Sequence, residues 1–158
     1  MASRGVQMLG DSLPHVLSLA QALLPASERR IAGLRFGGEG REAIDVGLRV
    51  VAGERALDVE VSLRRSDRHP REASLAIDDR CAQRMVSGDD YRLSFADGER
   101  SVQLPDPLEQ IVADFVRALP GPGERAAAGR AGEIVERMAL LEEILAGWAR
   151  HERGGALP

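Results

Sequence analysis

The hydrophobic period of this chain changes twice, and few folds accommodate both changes. Leu13, Val16, Leu17, Ala20 and Leu24 follow the i, i+3, i+4, i+7 rhythm of an amphipathic helix. From Ile31 to Leu104 the period becomes two. Ile44, Val46, Leu48 and Val50 alternate with Asp45, Gly47 and Arg49, and Leu57, Val59, Val61 and Leu63 alternate with Asp58, Glu60 and Ser62. Ala73, Leu75 and Ile77, then Tyr91, Leu93 and Phe95, then Val102 and Leu104, repeat the pattern. Strict alternation gives each strand one apolar and one polar face, as in an antiparallel sheet covered on one side. Helical spacing then returns after Asp106. The order helix, strands, two helices predicts an α+β class: a single mostly antiparallel sheet of about six strands, with helices packed on one face. Residues 1–158 are expected to form a single domain, a size that buries an ordinary core.

Turn chemistry sets the element boundaries. Asp11 or Ser12 can cap the first helix, Pro14 is tolerated within a first turn, and Pro25 helps end it. Gly37-Gly38, Gly53, Gly88 and Asp97-Gly98 fall where tight turns between antiparallel strands belong. Asp106-Pro107-Leu108-Glu109 supplies an N-cap, a proline at the first helical position and an acid two residues later. The helix it opens carries Leu108, Ile111, Val112, Phe115, Val116 and Leu119 as its apolar stripe. Pro120-Gly121-Pro122-Gly123 reads as a linker. A last helix aligns Ile134, Met138, Leu141, Leu145 and Trp148 on one seam, with Met138 and Trp148 read as core, and Gly154-Gly155 closes it.

Composition excludes several functions. A net charge of -4 and 3% aromatic residues suit neither phosphate binding nor base stacking, so no nucleic-acid partner is expected. All 21 basic residues are arginine, so no lysine is available for a Schiff base. The single cysteine, Cys81, cannot form an internal disulfide and fits a reducing compartment. Asp11, Pro14, His15 and Gln21 interrupt the early apolar run, which is therefore no signal peptide, and no stretch approaches the ~20 apolar residues of a membrane span. A soluble, cytoplasmic protein is expected.

Few residues carry chemistry. Gly38-Glu39-Gly40-Arg41-Glu42-Ala43 spells a dinucleotide fingerprint, but that motif needs a helix next and a strand pattern follows, so it reads as a hairpin turn. His15, His69, His151 and Cys81 are scattered, and no metal is expected. Asp11 and His15 stand four apart, on one face of a helix, where a carboxylate can orient an imidazole. On spacing alone, Asp11 as a helix cap and His15 as a half-buried spacer is the simpler account.

The run from Gly5 to Leu17, with Asp11 and His15 in a D-x-x-x-H arrangement, resembles the helix that opens the C-terminal domain of Gfo/Idh/MocA oxidoreductases. Residues 56–62 resemble that domain's central strand and residues 91–99 its late hairpin. Residues 106–108 with 114–119, and then 133–136, resemble its closing helices. Two positions depart: Leu13 stands where a small residue is usual, and Val16 where an acid often follows the histidine. The resemblance implies that Asp11 and His15 exchange protons with a substrate hydroxyl. It places Arg68 and His69, in Ser66-Asp67-Arg68-His69-Pro70, on a loop reaching toward substrate. It also implies association through the polar sheet face, where Arg49, Arg64, Arg84, Arg92 and Arg100 accompany Asp45, Asp58 and Glu60. Neither the family's NAD(P)-holding Rossmann half nor its catalytic lysine has a counterpart here, so no cofactor is expected. The expectation is a cofactor-independent cyclase, isomerase or dehydratase acting on an apolar, polyketide-like small molecule, with a homodimer built on the polar sheet face. Two other readings stay open: the substrate-binding subunit of a split oxidoreductase completed by a separate Rossmann protein, and a non-catalytic binding or scaffold protein.

Overall fold

In the computed structural model the described residues are 4–25, 28–38, 42–67, 72–87, 92–118 and 129–154, with seven strands and three helices among them. The α+β class is as expected, but the single sheet is not. The strands form two separate antiparallel sheets, of three and four strands. The chain accordingly divides into two compact units, Met1–Arg65 with Ala128–Pro158, and Ser66–Ala127. The physical reason is that period two marks a strand without naming its neighbour. Pairing is decided by turns and tertiary packing.

The first unit holds α1 (Arg4–Leu23), β1 (Arg30–Gly37), β2 (Ala43–Ala52), β3 (Arg55–Arg64) and α3 (Gly129–Glu152). The strands pair in the order β1-β2-β3, with Val46 of β2 between Phe36 and Val61. Gly53 opens the two-residue β2–β3 turn at φ 58°, the position that a hairpin turn of this kind gives to glycine. Ile44, Val46, Leu48 and Val50 point from the central strand into a core closed by Leu9, Leu13 and Leu17 of α1 and Leu140, Leu141, Ile144 and Trp148 of α3. These side chains are what hold the unit together, at about 1.5–3 kcal/mol for each large apolar group buried.

Helix α1 begins a full two turns before the expected cap. Gly5 and Leu9 extend the buried stripe of Leu13 and Leu17 at four-residue steps, so burial carries the helix back to Arg4. Pro14 therefore lies inside the helix and Asp11 does not cap it. Proline there removes the N–H that would bond the Gly10 carbonyl, a cost of ~3 kcal/mol that the buried stripe offsets. Two glycines permit close helix contacts. A Cβ on Gly5 would lie 2.7–2.9 Å from the Trp148 indole, and one on Gly147 2.6 Å from Leu34 Cδ2. Trp148 meets Phe36 edge-on at 5.3 Å, and His151 lies against both rings. The last helix follows its expected seam only in part: Leu141 and Trp148 are buried, whereas Ile134 and Met138 are exposed.

The second unit holds β4 (Ser74–Ile77), β5 (Arg80–Val86), β6 (Leu93–Ala96), β7 (Ser101–Gln103) and α2 (Pro107–Ala118). The strands form a simple meander. The sequence reading contains no turn at Asp78-Asp79, yet Asp78 adopts φ 53° and links β4 to β5. A short polar side chain tolerates that conformation better than most. Helix α2 starts as expected, with the Glu109 N–H donating to Asp106 Oδ1 at 3.4 Å.

Candidate functional site

Asp11 and His15 do share one face of α1, opposite the Leu9, Leu13 and Leu17 stripe. Both are exposed, and neither forms a hydrogen bond or ion pair with a described residue. Arg68 and His69 lie outside the described residues, as do Glu39, Gly40 and Arg41 of the glycine-rich turn. Its flanks are strands: Gly37 of β1 stands opposite Asp45 of β2, so the element that follows the turn is a strand, not a helix. Among the described residues no three His, Cys, Asp or Glu side chains gather as metal ligands, and no helix is long and apolar enough to cross a membrane.

The polar face of the first sheet is internally paired. The Arg35 guanidinium crosses the middle strand over Gly47 and meets Glu60 on the far strand. Only a residue without a side chain leaves room for that crossing: a Cβ on Gly47 would sit 2.6 Å from Arg35 Cζ. Arg49 donates to both oxygens of Asp58, at 3.1 and 2.9 Å. The Ser62 hydroxyl donates to Asp45 at 2.7 Å and Arg64 reaches the same oxygen at 2.8 Å, which together hold the Asp45 carboxyl below its usual range. Face Arg35, Arg49 and Arg64 thus already have carboxylate partners. Arg84, Arg92 and Arg100, grouped with them on sequence, belong to the second unit.

A polar cluster with no sequence signature joins α1 to α3. Gln21 donates from Nε2 to the Glu133 carbonyl and to Glu136 Oε2, both at 2.9 Å. Its own Oε1 accepts from Arg137 Nε and Nη2, at 2.9 and 2.7 Å. Glu136 also accepts from the Arg29 backbone N–H at 2.7 Å and from the Arg29 guanidinium, whose side chain is only 3% exposed. The Arg29 fork is completed by the Leu24 carbonyl at 2.8 Å and the Gln21 carbonyl at 3.3 Å. More than 100 residues separate Gln21 from Glu136, so periodicity gives no hint of the cluster. Every group in it has a partner, and its evident work is to seat α3 against α1.

The second unit differs in kind. Cross-strand register puts Leu75, Ile77, Ala82, Val86, Leu93, Phe95 and Val102 on one face of its sheet, together with Arg80 and Arg84. Among the residues from 66 to 127 whose side chains are described none is fully buried: Leu75, Ala82, Val86, Leu93, Phe95 and Ala96 are half-buried and the rest of the apolar side chains described there are exposed. Val102 is 61% exposed, and on α2 Val112, Phe115 and Val116 are 56, 64 and 59% exposed. Asp106, Glu109, Val112 and Ala113 line an open hollow beside that stripe. At the β6–β7 turn Asp97 accepts from Arg80 at 2.7 Å and from the Arg100 and Glu99 backbone, which lowers its pKa. Periodicity finds the apolar side chains of this unit, but not that several of them stay exposed. Comparison with family models, with curated proteins and with solved structures gives no match.

Proposed function

We propose that the chain is a non-catalytic binding protein whose contact surface is the apolar face of the second sheet together with α2. One observation carries this reading: a unit of about 60 residues has a largely apolar sheet face and an amphipathic helix, yet no side chain described in it is fully buried, and Val102, Val112, Phe115 and Val116 are more than half exposed. Apolar surface of that extent on a soluble protein marks a place where another surface docks. The fitting partner is a protein surface with an apolar centre and a polar rim. The cyclase, isomerase or dehydratase reading, and the split-oxidoreductase reading, rest on Asp11 and His15 and on the resemblance to the Gfo/Idh/MocA substrate domain. Acid–base work needs groups held in place near a substrate, and here both side chains extend into solvent from the outer face of α1.

The test compares the chain alone with the complex it forms on purification from its own cells. Amide exchange should slow in β4–β7 and α2 on complex formation, and Val102→Asp and Phe115→Asp should each release the partner while the first unit keeps its melting temperature. Retention of the partner by both variants overturns the reading. So does a small-molecule turnover that disappears in a folded His15→Ala variant.

A further inference from the structure

The open edge of β3 is a different surface, with its own chemistry. Strand β1, at the other edge of the first sheet, is interrupted by a register shift between Ile31 and Gly33. Such bulges blunt an edge against pairing. Strand β3 has no such device: ten residues, Arg55 to Arg64, pair with β2 without a break. Among the described residues no other strand pairs with it. The Arg65 N–H donates to the Glu42 carbonyl at 3.0 Å, which fixes the phase of the ladder. Hydrogen-bonded and non-hydrogen-bonded pairs alternate along an antiparallel ladder. Leu57, Val59, Val61 and Leu63 therefore bond inward to β2, and the backbone groups of Asp58, Glu60, Ser62 and Arg64 point outward.

We propose that this edge pairs with the same edge of a second copy, antiparallel, with Val61 facing the partner's Val61 across a two-fold axis. A six-stranded sheet then runs through both protomers. The charges select this register. With Val61 on the axis, Asp58 stands opposite Arg64 of the partner subunit, and Arg64 opposite the partner's Asp58. Glu60 meets the partner's Ser62. On the other face Val59 meets Leu63 of the partner subunit, extending the apolar floor on which the helices pack. Moving the axis to Val59 or Glu60 sets carboxylate against carboxylate, and moving it to Ser62 shortens the overlap. Opposite charges directly across a ladder stabilise it and like charges weaken it. Within one chain Asp58 already accepts from Arg49 and Asp45 from Arg64. A carboxylate has lone pairs for a second cation.

The experiment is sedimentation of the full chain at tens of micromolar, with register tested by cross-linking. The expected mass is twice the 17.0 kDa of one chain. In a Cys81→Ser background, Val61→Cys should form an intermolecular disulfide readily, because a non-hydrogen-bonded pair brings Cα atoms to about 4.5 Å. Val59→Cys, which faces the partner's Leu63, should not. Asp58→Arg should weaken the dimer about tenfold, and adding Arg64→Asp should restore it. That double change sets like charge against Arg49 and Asp45 within each chain, so recovery can come only from across the axis. A monomer at every concentration overturns the proposal. So does cross-linking no faster for Val61→Cys than for Val59→Cys, or a double variant that fails to recover.

Discussion

Removing the Glu136 carboxylate should destabilise the first unit more than any other single surface-to-core polar change. Glu136→Ala takes away the acceptor of three donors at once: the Arg29 guanidinium, the Arg29 backbone N–H and Gln21 Nε2. Arg29 cannot swing into water, since its side chain is 3% exposed and its fork is held by the Leu24 and Gln21 carbonyls. A buried ion pair broken on one side costs about 3–5 kcal/mol, most of it the cation left without its counter-charge. Glu136 is 18% exposed, so some water reaches the vacated place and the lower end, about 3 kcal/mol, is expected. For a unit of about 100 residues that lowers Tm by at least ~12 °C. Replacing both partners, Arg29→Leu with Glu136→Leu, should cost much less than the single change, because no charge is then stranded. Chemical and thermal unfolding of the three variants measures this. A Glu136→Ala loss under about 1 kcal/mol, or a double variant no better than the single, refutes the argument that α3 is seated by this pair.

Leu17→Ala should cost about 2–5 kcal/mol through a core cavity, since Leu17 is 1% exposed, while His15→Ala should leave urea unfolding within about 0.5 kcal/mol of the parent. Gly5→Ala should lower stability by about 1–2 kcal/mol although alanine is the better helix former, because its methyl meets the Trp148 indole at under 3 Å; differential scanning calorimetry reads the shift. Asp45 and Asp97 have folded pKa values below their usual 3.8, so the stability they contribute is present above that value and is lost as pH falls through the lower folded value. Urea midpoints should therefore hold from neutrality to about pH 4 and then decline. Asp97→Asn should flatten that acid limb.

Much of the fold was legible because burial leaves a period in the sequence. Ile44, Val46, Leu48 and Val50 could only be a strand with one covered face, and Asp106-Pro107 could only open a helix. The start of α1 was not legible, because Asp11, Ser12 and Pro14 carry every local sign of a helix beginning. It is Leu9 and Gly5, packed on the core and on Trp148, that draw the helix back through them. Local chemistry is read from neighbours in sequence, and tertiary burial outweighed it here.

The candidate site divides the same way. Spacing alone placed Asp11 and His15 on one helical face, and the helix confirms that placement. That the face looks to solvent depends on which side of α1 meets the sheet. Register chose the apolar face of the second sheet, but only the tertiary structure left it incompletely covered. The Gln21, Arg29, Glu136 and Arg137 cluster was invisible for the same physical cause. Sequence records which residues seek burial and at what period. Which distant groups meet, and which faces find no partner, is decided by how the elements pack.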